Sequence, residues 1–416
     1  MGGANRRQRS HVEGGPDGEC GFGRGRPARN PVTGENQVPA EVAHGRPGAT
    51  LAAAPTAPGR AGPDAASRAP RPPRDRYLDL LRAFALFRVV TYHTFDLAWL
   101  SLAFPALGVM FMMAGSLMAR SLDRPAVSVV RGRLRRLLPP FWFFGLCIVP
   151  AMLVHGFGPP SSGAAAWWAQ LSFWVMPVGD LPRNAWGEQL VEPLWYIRAY
   201  LWFVLLSPLL LRVFRRYPLP TLALSLAPVV VLTAWQPDNP VAAVAVELAT
   251  FLTCWLLGFA HRDGVLDAVR GLPIIGVAVV LMAIGAWWAF THPDPAVGYD
   301  LNEIPLGQAL WSAGFVLALL RFRPTVGWLA RVRPLDRAVT VLNSRAVTVY
   351  LWHEVALMLG VLVLDDLWDV PLVADHVPLG NQGVLFLVAW VLIAAAIVLF
   401  GWVEDLAARR RPRLWP

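Results

Sequence analysis

The sequence has no lysine, only three cysteines and few charged residues for its length. Charged residues make up 16% of the 416 positions, whereas soluble domains carry about 25%. Cys20, Cys147 and Cys254 show neither the paired nor the clustered spacing of a disulfide framework or a metal site. These deficits exclude an ordinary soluble enzyme. The 55% of residues that are hydrophobic indicate a membrane protein instead.

The chain after Tyr77 is a succession of ten apolar runs, most of them close to the length of a transmembrane helix. They cover residues 78–100, 102–119, 137–155, 194–213, 219–236, 241–260, 272–291, 304–320, 340–364 and 383–403. About 20 apolar residues are needed to cross the hydrocarbon core of a bilayer. We therefore predict an all-α integral membrane protein, a bundle of about ten transmembrane helices with one helix for each run.

Arginines are distributed between the runs in a way that predicts the orientation of the chain. They are concentrated after the second, fourth, sixth and eighth runs and in the C-terminal tail, and they are scarce in the other connections. Cytoplasmic loops carry an excess of basic residues, so we predict that the N- and C-termini are both cytoplasmic. The net charge of +9 follows from the same bias, and we do not expect nucleic-acid binding.

Three segments differ in composition. Residues 1–74 are rich in Gly, Pro, Ala and Arg and have almost no large apolar side chains, so we predict a disordered cytoplasmic tail. Residues 75–406 contain all the apolar runs and form the predicted transmembrane domain. Residues 407–416 form a basic cytoplasmic tail.

The first apolar run contains four ionisable side chains, Arg82, Arg88, His93 and Asp96, each costing roughly 2.5–3.5 kcal/mol at the centre of a membrane helix. Arg82 and His93 are eleven residues apart. They therefore share one face of a helix, roughly 16 Å apart along its axis. Asp96 could accept a hydrogen bond from Nδ1 of His93 and leave Nε2 free as a base.

Structural explanations remain open for several of these residues. Arg82 could extend to the inner lipid headgroups, Asp96 could simply end the helix, and His93 could be a packed neutral histidine. Arg88 lies too deep to reach the headgroups. It must face the bundle interior, a water-filled cavity or an anionic partner.

Five motifs resemble, in their order along the chain, those of the acyltransferase-3 family of integral membrane O-acyltransferases. They are Arg82 and His93 after Asp79-Leu80-Leu81, Gly108-Val109-x-Phe111 with Gly115-Ser116, Arg133-x-x-Arg136-x-x-Pro139, Tyr350-Leu351-Trp352-His353, and Glu404 after the last run. The resemblance covers about residues 76–406. Because Gly108 and Gly115 lie two turns apart, we expect the second helix to pack closely against the first.

The fourth run departs from the family. Many members carry Trp-Ser-Leu-Ser-Val-Glu-Glu, where residues 194–200 read LWYIRAY. The acidic pair is missing and Arg198 stands nearby, so a carboxylate role there cannot be transferred. The acceptor class is less defined as a result.

The resemblance implies an O-acyltransferase that moves an acyl group, most simply acetyl, from cytoplasmic acyl-CoA to a hydroxyl of a carbohydrate or natural product. Taken together with the charges of the first run, it leads us to expect three groups of site residues: His93, Arg82 and Asp96 in catalysis, Arg88, Arg133 and Arg136 on the donor, and His353, Tyr350 and Glu354 on the acceptor or supporting the site. Arginine suits the phosphates of coenzyme A, although Arg133 and Arg136 would also serve as a positive-inside anchor. His353 could equally be a core histidine. We expect no metal and no bound cofactor, with acyl-CoA acting as a co-substrate.

Two other functions are compatible with intramembrane charges. A proton-coupled transporter could use Arg88, His93, Asp96 and Glu247 as a path, but no pair of interrupted segments marks two structural halves. A scaffold would have no need for an aligned arginine and histidine. We expect a multi-pass protein in a bacterial plasma membrane, in contact with lipid.

Overall fold

The computed structural model describes residues 75–160, 163–268 and 271–413. Over these residues the chain consists of α-helices, short 3₁₀ turns and loops, without a β-strand, which confirms the predicted all-α fold. The predicted N-terminal tail, residues 1–74, lies outside the described residues, as do residues 414–416 of the C-terminal tail.

Sixteen α-helices are formed by the described residues. They are α1 (Arg76–Phe95), α2 (Trp99–Ala103), α3 (Ala106–Ser121), α4 (Ala126–Val154), α5 (Ala164–Leu171), α6 (Glu188–Val191), α7 (Trp195–Arg216), α8 (Pro218–Leu224), α9 (Ala227–Trp235), α10 (Pro240–Arg262), α11 (Gly271–Thr291), α12 (Pro305–Arg321), α13 (Arg333–Ser344), α14 (Ala346–Leu367), α15 (Pro371–Ala374) and α16 (Gln382–Ala407).

Eight segments of the described chain are long and apolar enough to cross a membrane. They are Trp99–Ser121, Ala126–Val154, Glu188–Arg216, Pro218–Trp235, Pro240–Arg262, Gly271–Thr291, Ala346–Leu367 and Gln382–Ala407. The protein is therefore a multi-pass membrane protein. The charged helix α1 and the 17-residue helix α12 do not meet both criteria, yet both belong to the same bundle: α1 packs against α3, and α12 packs against α10 and α3. Ten spans and cytoplasmic termini stay predictions.

Several helix boundaries differ from the sequence prediction. The first run, predicted over 78–100, contains the end of α1 at Phe95, and the fifth, predicted over 219–236, is divided between α8 and α9. The third run was expected to begin at residue 137, but α4 begins at Ala126, because the arginine-rich stretch before the run continues the helix. The ninth run, predicted over 340–364, is divided at Arg345, whose φ of −116° interrupts the helix. The part before the break, α13, is strongly amphipathic, while α14 is apolar and largely buried.

The glycines of α3 pack against α10 and α12 rather than against α1, which corrects the expectation from the sequence. A Cβ on Gly115 would lie 2.3 Å from the carbonyl oxygen of Trp255 in α10. A Cβ on Gly108 would lie 2.6 Å from the Cβ of Ser312 in α12. Gly258 of α10 is equally tight, with its Cβ position 2.2 Å from the carbonyl oxygen of Met112. Backbones approach this closely only where side chains are missing.

Helix α1 lies inside the bundle, where it contacts α3, α13, α14 and α16. Its buried side chains include Ala85, Leu86, Val89 and Val90. Two ionisable side chains of α1, Asp79 and Arg88, are buried against protein, which is the arrangement that offsets the cost of charge inside a bundle.

Candidate functional site

The end of α1 positions His93. Asp96 is the C-terminal cap of the helix, in the left-handed conformation with φ 49° and ψ 45°, and its N–H donates to the carbonyl of Tyr92 at 2.8 Å. Aspartate is among the few residues that adopt this conformation readily. His93 consequently lies in the last helical turn, with 30% of its side chain exposed.

Glu354 of α14 is the carboxylate that meets His93. Nδ1 of His93 lies 2.8 Å from Oε1 of Glu354, and Glu354 is only 2% exposed. We expected Asp96 in this position, but the exposed Asp96 ends the helix instead. Nε2 of Gln189 on α6 donates to the second oxygen of Glu354 at 3.0 Å. The carboxylate is thus held from two sides.

The contact with Glu354 favours one tautomer of His93. A carboxylate only accepts hydrogen bonds, so a neutral ring with its hydrogen on Nδ1 suits the 2.8 Å contact, and Nε2 then keeps its lone pair. A histidine oriented by a carboxylate in this way has the geometry of a general base. The arrangement can take a proton from a hydroxyl that approaches Nε2.

His353 lies beside His93, with ring centroids 5.2 Å apart. Nδ1 of His353 donates to the carbonyl of Tyr350 at 2.6 Å. Nε2 of His353 points towards Glu354, 3.5 Å from Oε1. The Tyr350 hydroxyl donates to the carbonyl of Pro193, next to the start of α7. Tyr350, His353 and Glu354 are therefore one buried group with His93 at its edge.

Arg82, Arg133 and Arg136 line a common cavity of about 460 Å³. Nη1 of Arg82 lies 3.5 Å from Oδ1 of Asn343, and Nη2 of Arg133 donates to the carbonyl of Leu117 and to Oγ of Ser121, both at 3.0 Å. The cavity lies at the end of the bundle where α1 begins, and its lining also includes Arg410 of the C-terminal tail.

Two carboxylates share this lining, and both have partners of their own. Oε2 of Glu404 accepts hydrogen bonds from the hydroxyl of Thr348 at 2.9 Å and from its N–H at 3.3 Å. Asp405 is paired at 2.7 Å with Arg345, which is 1% exposed. The four arginines of the lining outnumber its two carboxylates, so the cavity offers an excess of positive charge to a ligand.

Tyr350 connects the cavity with the histidines. It lines the cavity, and its ring contacts that of His353 at 5.7 Å between centroids. Leu86 lines the cavity too, two turns or about 10 Å along α1 before His93. Leu86 and Tyr350 therefore stand between the cavity and the base.

Arg88 lies outside the lining of this cavity. It is 4% exposed, its guanidinium lies over the ring of Tyr92 at 4.8 Å, and Nε donates to the carbonyl of Leu100 at 3.4 Å. Tyr92 in turn donates to Asp300 at 2.5 Å. The structure does not bring Arg88 to the arginines predicted to share its role on the donor, because its side chain extends towards α2 and the loop before α12.

Sequence reasoning missed Gln189 and Asn343, the partners of Glu354 and Arg82. Both are uncharged and lie at helix ends, so no local pattern marks them. Arg198, the residue that departs from the family motif, pairs with Glu247 of α10 and, at 2.7 Å, with Asp180. It joins two helices to the loop before α6 and does not reach Glu354.

The chain was compared with known proteins. Residues 75–403 match the acyltransferase-3 family model, which is described as an acyltransferase domain. No curated protein and no solved structure matches the chain.

Proposed function

The chain belongs to the acyltransferase-3 family, and on that premise we propose that it moves an acyl group, most simply acetyl, from cytoplasmic acyl-CoA to a hydroxyl of a carbohydrate or natural product. The observation that carries the proposal is the His93–Glu354 pair, 2.8 Å apart, which Leu86 and Tyr350 separate from an arginine-lined cavity. Such a pair is a base, and such a cavity suits a polyanionic donor.

The cavity suits the donor in charge, and its volume is that of a ligand site. Arg82, Arg133, Arg136 and Arg410 all contribute to its lining, and arginine binds phosphate through two parallel hydrogen bonds. Its volume of 460 Å³ lies within the range of about 300–1,000 Å³ for small-molecule sites. Coenzyme A would place its phosphates on the arginines and direct its thioester past Leu86 and Tyr350 towards His93.

The chemistry follows from the tautomer of His93. Its Nε2 takes the proton from the acceptor hydroxyl while the oxygen attacks the thioester carbonyl carbon. The tetrahedral intermediate then collapses, the carbon–sulfur bond breaks, and the imidazolium returns its proton to the departing coenzyme A thiolate. The products are the ester and free coenzyme A, and Glu354 stabilises the positive charge that His93 carries between the two transfers.

Release of the thiol tests this function. Purified full-length protein in nanodiscs would receive acetyl-CoA and a panel of sugars and hydroxylated metabolites, with free coenzyme A measured by a thiol reagent. We expect acceptor-dependent release that is lost in His93→Ala and retained in His292→Ala, which changes an exposed histidine outside the site.

The opposite outcome is equally clear. If His93→Ala releases coenzyme A at the rate of the unchanged protein, His93 is not the base. Solute flux into proteoliposomes without thioester cleavage would favour the proton-coupled transporter. Either result would refute the proposed reaction.

A further inference from the structure

Three metal-ligating atoms converge where α1 meets α14. His93, His353 and Glu354 each offer one ligand atom, a ring nitrogen or a carboxylate oxygen, and these three atoms lie within 4.8 Å of one another. His353 and Glu354 are 1% and 2% exposed. The sequence predicted no metal site, because the two histidines lie on helices that are far apart in the chain.

The orientation of His353 is unfavourable without a cation. Because its Nδ1 donates to the carbonyl of Tyr350, the neutral ring carries a lone pair on Nε2. That atom has no hydrogen-bond partner among the described residues, and it faces Oε1 of Glu354 at 3.5 Å. Two acceptors facing each other are costly in a buried place. A cation bound by both would make the same arrangement favourable.

We propose that His93, His353 and Glu354 bind a divalent transition-metal ion of the Zn²⁺ type. Zinc binds imidazole nitrogen and carboxylate oxygen at about 2.0–2.2 Å, so two ligand atoms of a tetrahedral site lie about 3.3 Å apart. The separations of 2.8 and 3.5 Å from Oε1 of Glu354 are close to this value. Two imidazoles with one carboxylate select zinc-like ions over Mg²⁺ and Ca²⁺, which require mainly oxygen ligands.

The hydrogen-bond partners of His353 and Glu354 are of the kind that orient ligands in known metal sites. Metal-binding histidines usually donate their second nitrogen to a carbonyl or carboxylate, as His353 does to Tyr350. Gln189 holds the other oxygen of Glu354 at 3.0 Å, which directs Oε1 at the histidines. The partly exposed side of His93 leaves room for a water as the fourth ligand, as in open zinc sites.

Binding of the ion would stop the proposed transfer, and this consequence rests on the proposed function. A metal on Nδ1 of His93 replaces the ring hydrogen there, and the neutral ring then carries its hydrogen on Nε2. The lone pair that would accept the proton of the acceptor hydroxyl is lost. Zinc would therefore act as a reversible inhibitor that competes with the base.

The binding test uses the full chain with an affinity tag that contains no histidine, treated with a chelator and then titrated with Zn²⁺ by calorimetry. Co²⁺, followed by its visible absorption, reports the ligand geometry. We expect one ion per chain, and an affinity at least about 100-fold lower in Glu354→Gln. His376→Gln, which removes an exposed histidine from a loop, should bind as the unchanged protein does. X-ray absorption spectroscopy of the zinc-loaded wild-type protein should show imidazole ligands. This measurement does not depend on whether a variant folds.

Two results would overturn the metal site: no stoichiometric ion in the unchanged protein, or undiminished binding in Glu354→Gln. The activity measurement separates this proposal from the proposed function. Coenzyme A release that falls with Zn²⁺ and returns with a chelator supports both. Zinc binding in a protein that never releases coenzyme A supports the metal site and removes the reaction. Full activity with the metal site saturated refutes inhibition.

Discussion

Changing Glu354 to glutamine separates the charge of this residue from its shape. A glutamine keeps an acceptor oxygen at the position that lies 2.8 Å from Nδ1 of His93, so the base can keep the same tautomer. What disappears is the negative charge that faces the imidazolium formed during the reaction. Because Glu354 is 2% exposed, water cannot replace that charge.

The size of the effect follows from the distance. Two unit charges about 4 Å apart interact by about 4 kcal/mol at an effective dielectric constant near 20. Each ~1.4 kcal/mol in the barrier changes a rate tenfold. The Glu354→Gln variant should therefore lose about a thousandfold in kcat. KM for acyl-CoA should stay the same, since Glu354 is not part of the cavity lining.

The assay is the rate of coenzyme A release over a range of acyl-CoA concentrations. Asp365→Asn is the matched control, because it removes an exposed carboxylate from the same helix and should leave both constants unchanged. A Glu354→Gln protein with normal kcat, or one in which only KM rises, would refute the role of Glu354 as the partner of the base.

Three further predictions concern packing, the donor and the C-terminal end. Gly115→Ala should lower the melting temperature, with a loss of about 1–3 kcal/mol, because its Cβ would lie 2.3 Å from a backbone oxygen, whereas Gly276→Ala, with nothing within 4 Å, should not. Arg133→Gln and Arg136→Gln should each raise KM for acyl-CoA about tenfold with kcat retained, and raised salt should reduce the difference from the unchanged protein. Arg345→Met should destabilise the fold by about 3–5 kcal/mol in a denaturation assay, because it leaves a buried carboxylate without its partner.

The sequence by itself determined the class of the protein. The apolar runs predict the helices, since about 20 apolar residues in a row have few other stable arrangements. The eleven-residue spacing of Arg82 and His93 places both on one face of a helix. The five motifs indicate the family, which the family match confirms. All of these are properties of single segments, and the periodicity or composition of one segment can be read without its neighbours.

Only the tertiary structure decided which groups meet. It placed Glu354 rather than Asp96 at Nδ1 of His93, and α10 rather than α1 against Gly115. It also turned Arg88 away from the cavity that Arg82 lines. Each of these outcomes depends on the rotation and depth of one helix relative to another that is distant in the chain. Packing between whole helices sets that rotation and depth, and no local pattern in the sequence records them.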